Sequence, residues 1–435
     1  MKHVGILIIF AAVSIAQTRV DPQLAAEIDK IKAIDNHAHP VLPALSDSVK
    51  DTEFDALPVD SMEAYTEPVR TREGSPLVIE AWRQLFGYQH NDRDPEHVRE
   101  LRERKKQLIH DQGEGYANWV LDQLGIETML ANRVAMGRGI AAPRFLWVPF
   151  VDALLFPLDN SKLAARNSDR KTFFADEERL LKRYLKECGL ASRPSDLDGY
   201  LAQVVTPTLE RQKREGAVAV KYEAAYLRSL DFEDVPKSSA RDVYGSPRGA
   251  PPSDAAYKKL QDFLFRYVAA ECGRLGLAVH LHAAYGAGGY FHIAGANPLR
   301  LESVLNDPKL RKTNFVMLHG GWPFTREIAA LLTKPNAYAD FSEQTFMNYP
   351  RPVSQVIREW LEVTPEKVLF ATDAYPFSEE MDWEEAGWVA ATTGRQAIGL
   401  ALTGMMEDGE ITRERAVELA HMILGDNARR LYKLQ

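Results

Sequence analysis

The chain has 435 residues, of which 45% are hydrophobic and 26% charged, and its formal net charge at pH 7 is −8. This composition is that of a globular protein, long enough for one large α/β barrel or two average domains. The charge is mild and no basic block occurs, which argues against nucleic acid as a partner. The two cysteines, Cys188 and Cys272, lie far apart. A disulfide between them is not indicated, and neither resembles a nucleophile.

The N-terminus departs from this globular composition. Lys2 and His3 precede an apolar run at residues 4–13, and the small residues Ser14 and Ala16 follow it. This pattern predicts a signal peptide over residues 1–16 and therefore export to the periplasm or the outside. The run is too short to span a bilayer permanently, so we expect no stable membrane anchor after cleavage. The alternative interpretation is a buried first strand or helix.

Short apolar runs alternate with amphipathic, helix-like stretches along residues 23–435. This alternation predicts a parallel sheet, and eight such units favour closure into a TIM-like (β/α)8 barrel, an α/β fold. An open doubly wound sheet would want a glycine-rich phosphate loop after an early strand, and the chain has none. The predicted strands are Ala33–His39, Ile126–Asn132, Phe145–Val151, Ala217–Tyr222, Leu277–His282, Phe315–His319, Ala337–Phe341 and Val368–Asp373.

The first and second predicted strands are separated by a long, charged insertion over residues 40–124. It carries Trp82, Phe86 and Tyr88 and a charged helix near Glu96–Asp111. Because it leaves the first strand directly over the mouth of the barrel, it is a candidate helical lid or a contact between copies in a homo-oligomer. The alternative is that its aromatic residues pack against the outer helices.

Polar residues with metal-ligand chemistry close five of the predicted strands. In a parallel barrel the carboxyl ends of the strands converge on one mouth, where function is built. Imidazole and carboxylate donors suit zinc, manganese or iron(II), whereas calcium or magnesium would want more oxygen ligands. These residues are His37, His39, Lys221, His282, His319 and Asp373.

Each of these residues also has a structural interpretation. The His37–His39 pair can be an accident of the core, and a single histidine such as His319 is often only hydrogen-bonded. Asp373 can cap the helix that follows it, and Lys221 can pair with a carboxylate. What these separate interpretations explain poorly is the joint occurrence at the strand ends.

The motifs around these residues resemble the metal-dependent amidohydrolase superfamily, specifically its amidohydrolase-related (amidohydrolase-2) branch. Within that branch the chain is similar to the amidohydrolase domain fused to glutamine-synthetase-like proteins, over roughly residues 33–432. One departure is that Leu227, and not arginine, follows Tyr226. The matching motifs are Ile34-Asp-Asn-His-Ala-His39, Val218-Ala-Val-Lys-Tyr-Glu-Ala-Ala-Tyr226, Val279-His-Leu-His282, Met317-Leu-His-Gly-Gly321 and Leu369-Phe-Ala-Thr-Asp373.

The resemblance implies roles for individual residues. His37, His39, His282 and Asp373 would be metal ligands, and His319 would be a second-metal ligand or an acid/base residue. Lys221 would be a carboxylated bridge between two metals or a plain lysine that contacts substrate.

Three further residues are candidates for the site. His280, deeper in its strand, competes with His282 as ligand, and His282 is preferred because it ends the strand. Tyr226 and His292, the latter in a glycine-rich loop, are candidate substrate-binding residues.

Three functions are compatible with this set. The preferred one is hydrolysis of a small amide, ester or lactone by water activated on one or two divalent ions, with zinc favoured, and with Asp373 and His319 as catalytic residues. The alternative is a metal-dependent, non-oxidative decarboxylase acting on a small carboxylic acid. A non-catalytic, metal-binding barrel is disfavoured because every expected ligand type is present.

Overall fold

The computed structural model describes residues 19–43, 51–57, 68–72, 74–245 and 251–434. The predicted signal peptide, residues 1–16, lies outside these ranges. Within them, no helix is long and apolar enough to cross a bilayer. Cys188 and Cys272 are both free thiols, and Cys272 is buried.

Eight strands occur where the sequence predicts them; β2 has the predicted bounds, and the other seven are one to four residues shorter than the predicted runs. They are β1 (Ala33–Ala38), β2 (Ile126–Asn132), β3 (Phe145–Val148), β4 (Ala219–Tyr222), β5 (Ala278–His282), β6 (Phe315–Leu318), β7 (Ala337–Asp340) and β8 (Val368–Leu369).

The strands form two parallel sheets, in the orders β1-β2-β3 and β4-β5-β6-β7-β8. Backbone hydrogen bonds join the sheets at both ends. Between β3 and β4, the Val218 amide donates to the Trp147 carbonyl at 3.1 Å. Between β1 and the segment after β8, the Asn36 amide donates to the Phe370 carbonyl at 2.9 Å. These bonds complete a ring of eight parallel strands, which is the predicted TIM-like barrel.

Helices cover the outside of the barrel. Several begin with a side-chain cap, as where Asp94 accepts from the Glu96 amide and where Asp382 and Glu385 form a capping box. The α-helices of at least seven residues in the described ranges are Pro22–Lys30, Pro76–Phe86, Pro95–Gln112, Tyr116–Leu124, Ser168–Glu187, Thr206–Arg214, Lys237–Tyr244, Asp254–Leu275, Thr325–Leu331, Pro350–Val363, Trp383–Glu407 and Arg413–His421.

The insertion between β1 and β2 contains three of these helices, Pro76–Phe86, Pro95–Gln112 and Tyr116–Leu124. Trp82 is fully buried, and its indole Nε1 donates to the Glu380 carbonyl at 2.6 Å. Trp82, Phe86 and Tyr88 share a hydrophobic cluster with residues at the start of helix Trp383–Glu407. The insertion therefore packs against an outer helix, and some of its other described residues line the cavity discussed below.

The C-terminal helix Asn427–Tyr432 packs against the barrel interior. Its Tyr432 hydroxyl donates to Asn36 Oδ1 and lies 2.7 Å from His280 Nε2. Because that hydroxyl proton goes to Asn36, its oxygen accepts from His280 Nε2–H. The interior cluster joins this helix to apolar residues of seven strands: Ile34, Leu130, Val148, Ala219, Ala278, Val316, Leu318, Leu369, Ala428 and Leu431.

Three local features differ from the expectation. The helix Ser168–Glu187 occupies a stretch in which the sequence offers no motif. Residues 298–306, which the sequence indicates as a single helix, divide into a 3-10 turn, Pro298–Leu301, and a four-residue α-helix, Glu302–Leu305. Strand β1 shifts register between Asp35 and Ala38, so residues 35, 37 and 39 do not simply alternate. Asp35 accepts from the Thr372 hydroxyl at 2.5 Å, while Asn36 donates to Asp340 Oδ2 at 2.8 Å.

Candidate active site

Three of the predicted ligands meet at the mouth of the barrel. His37 Nε2 lies 3.0 Å and His39 Nε2 lies 3.7 Å from Oδ1 of Asp373. One donor atom from each of these residues lies within 4.8 Å of the others, a spread that one cation can close. We call His37, His39 and Asp373 the first donor group.

His282 belongs to a different group. The family resemblance implies that His282 is a metal ligand together with His37, His39 and Asp373, but its donor atom clusters with those of His319 and Glu343, within 4.8 Å. The reason is topological, because β5 lies beside β6 and its His282 ring stands 4.5 Å from the His319 ring. We call His282, His319 and Glu343 the second donor group. Asp373 Oδ2 connects the two groups, since it lies 3.7 Å from His319 Nδ1.

Lys221 lies between these groups and two further carboxylates. Its Nζ is 3.4 Å from His37 Nε2 and 3.9 Å from Glu223 Oε1, and the residue is 1% exposed. Asp55, from the insertion, lies 3.6 Å from His39 Nδ1. His39 Nδ1 is also 3.2 Å from the Phe54 carbonyl, which can only accept. His39 therefore carries its proton on Nδ1, and Nε2 has the lone pair that a metal needs.

Burial keeps the site histidines neutral. Desolvation, reinforced by the nearby Lys221 ammonium, lowers the pKa of His282 to about 3 and lowers those of His37 and His39 well below the ordinary value. For His319, burial and then the neighbouring His282 lower the pKa in the same direction. Neutral imidazole is the form that binds a metal.

The site carboxyls experience the opposite effect. Burial raises the pKa of Asp373 well above the ordinary value, although Lys221 lowers it. Burial and then the neighbouring Asp373 raise the pKa of Glu343 in the same way. Several buried carboxyls thus share one ammonium group, and a divalent cation would offset the excess negative charge. The donor chemistry, three or four imidazoles with carboxylates, fits zinc, manganese or iron(II).

The backbone at this mouth is strained. His319, Glu343 and Asp373 have φ of 62°, 59° and 55°, a left-handed region that ordinary residues seldom occupy. Such conformations cost on the order of 1–3 kcal/mol each and collect at functional sites. Hydrogen bonds hold two of them, because the Asp373 amide donates to the His37 carbonyl at 2.8 Å and the His319 amide to Asp340 Oδ1 at 3.0 Å.

A buried relay orients His319. The Ser342 hydroxyl donates to Asp340 Oδ1 at 2.6 Å, so its oxygen accepts from His319 Nδ1, 2.9 Å away. This arrangement places the His319 proton on Nδ1 and its lone pair on Nε2. Asp340 also accepts from Asn36, which connects the relay to the barrel interior.

The remaining predicted site residues divide into two sets. Tyr226 lines the cavity, with its ring 4.7 Å from that of His282. His280 lies below the mouth against Tyr432, in agreement with the preference for His282. His292 is exposed and does not line the cavity, because its loop turns it toward Gly295 while Phe291 packs on Tyr226 instead. Arg228, next to the departure from the family pattern, pairs with Asp262 at 2.7 Å.

Sequence reasoning missed several residues of the site. Glu343, Asp55, Glu223 and the relay residues Asp340 and Ser342 were given no role. Asp340 and Ser342 stand where β7 ends, which is the same kind of signal as Asp373 at the end of its predicted strand. Asp55 offered no signal, because it reaches the mouth only through the path of the insertion.

The effect of burial on the pKa of a carboxyl can be tested at Glu177, which is not one of the candidate metal ligands. It is 2% exposed, and neither of its oxygens has a hydrogen-bond partner among the described residues. Burial, followed by the nearby Asp152, raises its pKa well above 4.5. Between the unfolded and folded pKa values the folded protein holds an extra proton. The free energy of unfolding therefore falls as pH rises, by up to about 1.4 kcal/mol per pH unit.

The Glu177→Gln variant should remove this dependence. We expect it to be more stable than the parent at pH 8, by about 1–3 kcal/mol, and little different at pH 4. Urea unfolding at both pH values measures the difference. The exposed neighbour Glu178→Gln is the matched control and should change neither value. Equal stabilisation of Glu177→Gln at the two pH values would contradict the interpretation.

Comparison with known proteins agrees with this geometry. Residues 229–434 match the amidohydrolase family. Protein fluG of Emericella nidulans is 29% identical over 211 residues, which cover 47% of this chain and 23% of that protein. Residues 229–434 of this chain belong to the amidohydrolase family. The similarity to fluG spans less than a quarter of that longer protein, so only the corresponding segment is compared.

Solved structures support the TIM-barrel-like fold over nearly the whole chain. A protein of Lactobacillus casei assigned as a metal-dependent hydrolase superposes with a TM-score of 0.64 at 15% identity, covering 94% of this chain and 97% of that one. Uronate isomerase of Thermotoga maritima superposes with a TM-score of 0.61 at 14% identity, covering 94% and 96%. At these identities the likeness establishes the TIM-barrel-like fold. The match to the amidohydrolase family indicates an enzyme, the donor groups at the mouth are candidate metal sites, and the reaction must be argued from the site.

Proposed function

We propose that this enzyme hydrolyses a small amide, ester or lactone, with one or two divalent ions, preferably zinc, held at the two donor groups. The observation that carries the proposal is the position of Asp373, which lies 3.0 Å from His37 in one group and 3.7 Å from His319 in the other. A single carboxylate at that position can hold an ion and exchange a proton with a water molecule bound beside it.

Each residue of the site has its own role in the proposed reaction. His37 and His39 present neutral imidazoles to the cation, and the Phe54 carbonyl fixes the tautomer of His39. Asp373 takes the proton of the attacking water and later returns it to the leaving group. His319, which Ser342 and Asp340 orient with its lone pair on Nε2, would bind a second ion or accept a proton, and the bound cation would stabilise the developing negative charge on the carbonyl oxygen.

A divalent cation supplies Lewis acidity, which lowers the pKa of a coordinated water from about 15.7 toward neutrality. Lys221, beside His37 and Glu223, can bridge two such ions as a carbamate or contact the substrate as an ammonium group. The burial of Lys221 among donors of both groups is compatible with either role.

Metal removal tests the proposal directly. We expect chelated protein to lose hydrolysis of a panel of small amides, esters and lactones, and added zinc, manganese or iron(II) to restore it. The variant His319→Asn, loaded in parallel, should keep its fold and most of its bound metal yet lose turnover. Full activity after chelation would refute metal-dependent hydrolysis, and release of carbon dioxide from carboxylic acids without cleavage of the panel would favour the decarboxylase.

A further inference from the structure

The candidate site opens into a cavity of 610 Å³, and one wall of this cavity is a continuous series of aromatic rings. The Tyr375 ring lies 5.4 Å from His39 of the first donor group and 5.7 Å from Phe54. Phe377 lies 5.5 Å further along, and Phe346 lies 5.2 Å from Phe377. This aromatic wall of Phe54, Tyr375, Phe377 and Phe346 therefore begins at a candidate metal ligand and leads outward to Phe377, which is 39% exposed.

Cationic side chains are scarce around the same cavity. Among the described residues that line it, Lys221 is the single lysine and no arginine occurs. Lys221 lies at the floor, surrounded by Asp55, Glu223, Glu343 and Asp373, which also line the cavity. If the substrate carried a carboxylate away from the reacting bond, that carboxylate would have no cationic partner along the aromatic wall. Burying an unpaired charge there is strongly unfavourable.

The acidic residues nearer the opening do not create a site for a cation either. Glu379 lies 3.4 Å from Arg102, and Glu384 lies 3.6 Å from Lys105. Asp51 is paired with Arg133 at 2.8 Å. Because each of these three carboxylates already lies beside a cationic side chain, the outer cavity presents to a ligand mainly apolar and aromatic surface.

We propose that the substrate is uncharged next to its scissile bond and carries an aromatic ring there, which packs against the aromatic wall. This inference rests on the proposed hydrolysis, since it places the ring next to a carbonyl held at the donor groups. The wall rings meet at steep angles, between 58° and 77° for the three contacts among Tyr375, Phe377, Phe346 and Phe54. Edges and faces are therefore both presented, and a planar ring can make edge-to-face contacts with them.

Hydroxamates, which chelate divalent metals through two oxygens, test the inference independently of turnover. Binding to the zinc-loaded protein would be measured by calorimetry for acetohydroxamate, benzohydroxamate, 4-carboxybenzohydroxamate and 4-(aminomethyl)benzohydroxamate. We expect benzohydroxamate to bind about tenfold more tightly than acetohydroxamate. The carboxylated probe should bind about tenfold less tightly than benzohydroxamate, and the aminomethyl probe should bring no gain over it.

Variants test whether the aromatic wall causes the preference for benzohydroxamate over acetohydroxamate. Phe377→Ala, at the partly exposed end, should reduce the ratio of benzohydroxamate to acetohydroxamate affinity several-fold and leave acetohydroxamate binding unchanged. Tyr290→Ala is the matched control, since Tyr290 is 64% exposed and does not line the cavity. Equal affinity for the acetyl and benzoyl probes, or tighter binding of either charged probe, would overturn the aromatic specificity. Failure of every hydroxamate to bind zinc-loaded protein, together with no hydrolysis of the panel, would instead refute the proposed function.

Discussion

Asp373→Asn should reduce kcat by roughly 10³-fold while the barrel stays folded. The amide has the shape of the carboxylate but cannot accept the proton of the attacking water, and it is a poorer ligand for a divalent cation. The backbone gives no reason for unfolding, because asparagine tolerates the left-handed conformation that Asp373 adopts at φ 55°. Loss of a buried carboxyl whose pKa burial raises should even stabilise the protein at neutral pH.

The measurement combines steady-state kinetics, metal content and thermal unfolding of the same preparation. The control is Asp426→Asn, an exposed carboxylate in the turn before the last helix, which should leave all three unchanged. A variant at position 373 that binds metal normally and retains more than a tenth of the parental kcat would remove Asp373 from the proton transfer.

Gly320→Ala should destabilise the protein by about 3 kcal/mol and abolish most activity. Gly320 follows His319 and has φ 58°, where a Cβ atom strains the backbone. The added Cβ would also approach within 2.3 Å of the Trp360 ring and 2.6 Å of Gln344 Nε2. Gln344 holds the His319 carbonyl through a 2.9 Å hydrogen bond, so the collision would displace the histidine itself.

The Gly409→Ala variant separates the cost of backbone strain from the cost of the steric clash made by the added Cβ atom. Gly409 has φ 73°, but no atom lies within 4 Å of its hypothetical Cβ. This variant should therefore show the conformational cost alone, about 1 kcal/mol, with full activity. Chemical denaturation and turnover of both variants give the comparison. Equal destabilisation at the two positions would mean that packing against Trp360 contributes nothing to the placement of His319.

The barrel could be predicted from the sequence because its strands are buried on both faces. Such strands form short apolar runs, and the polar residues that interrupt the apolar pattern, such as His282 and Asp373, stand where a run meets the mouth. This pattern identified all eight strands and the polar residues at their ends. It also distinguished His282 from His280 by position in the strand.

The grouping of the ligands could not be predicted in this way. Which histidine shares an ion with which carboxylate depends on the register of neighbouring strands, and the register shift in β1 between Asp35 and Ala38 has no sequence signal. Asp55 and Glu343 come from segments outside the strands, so their approach to the mouth depends on how the loops fold. The exposed position of His292 could not be predicted either, because it depends on how its loop folds.

The contact between Tyr432 and the barrel interior sets an order of events during biosynthesis. Asn36 leaves the ribosome almost four hundred residues before the tyrosine with which it pairs. Until Tyr432 has been synthesised, the floor under the mouth of the barrel lacks one layer of side chains, and His280 lacks its acceptor there. A nascent chain in which all eight strands have been made therefore still lacks the hydrogen bonds of Tyr432 with Asn36 and His280.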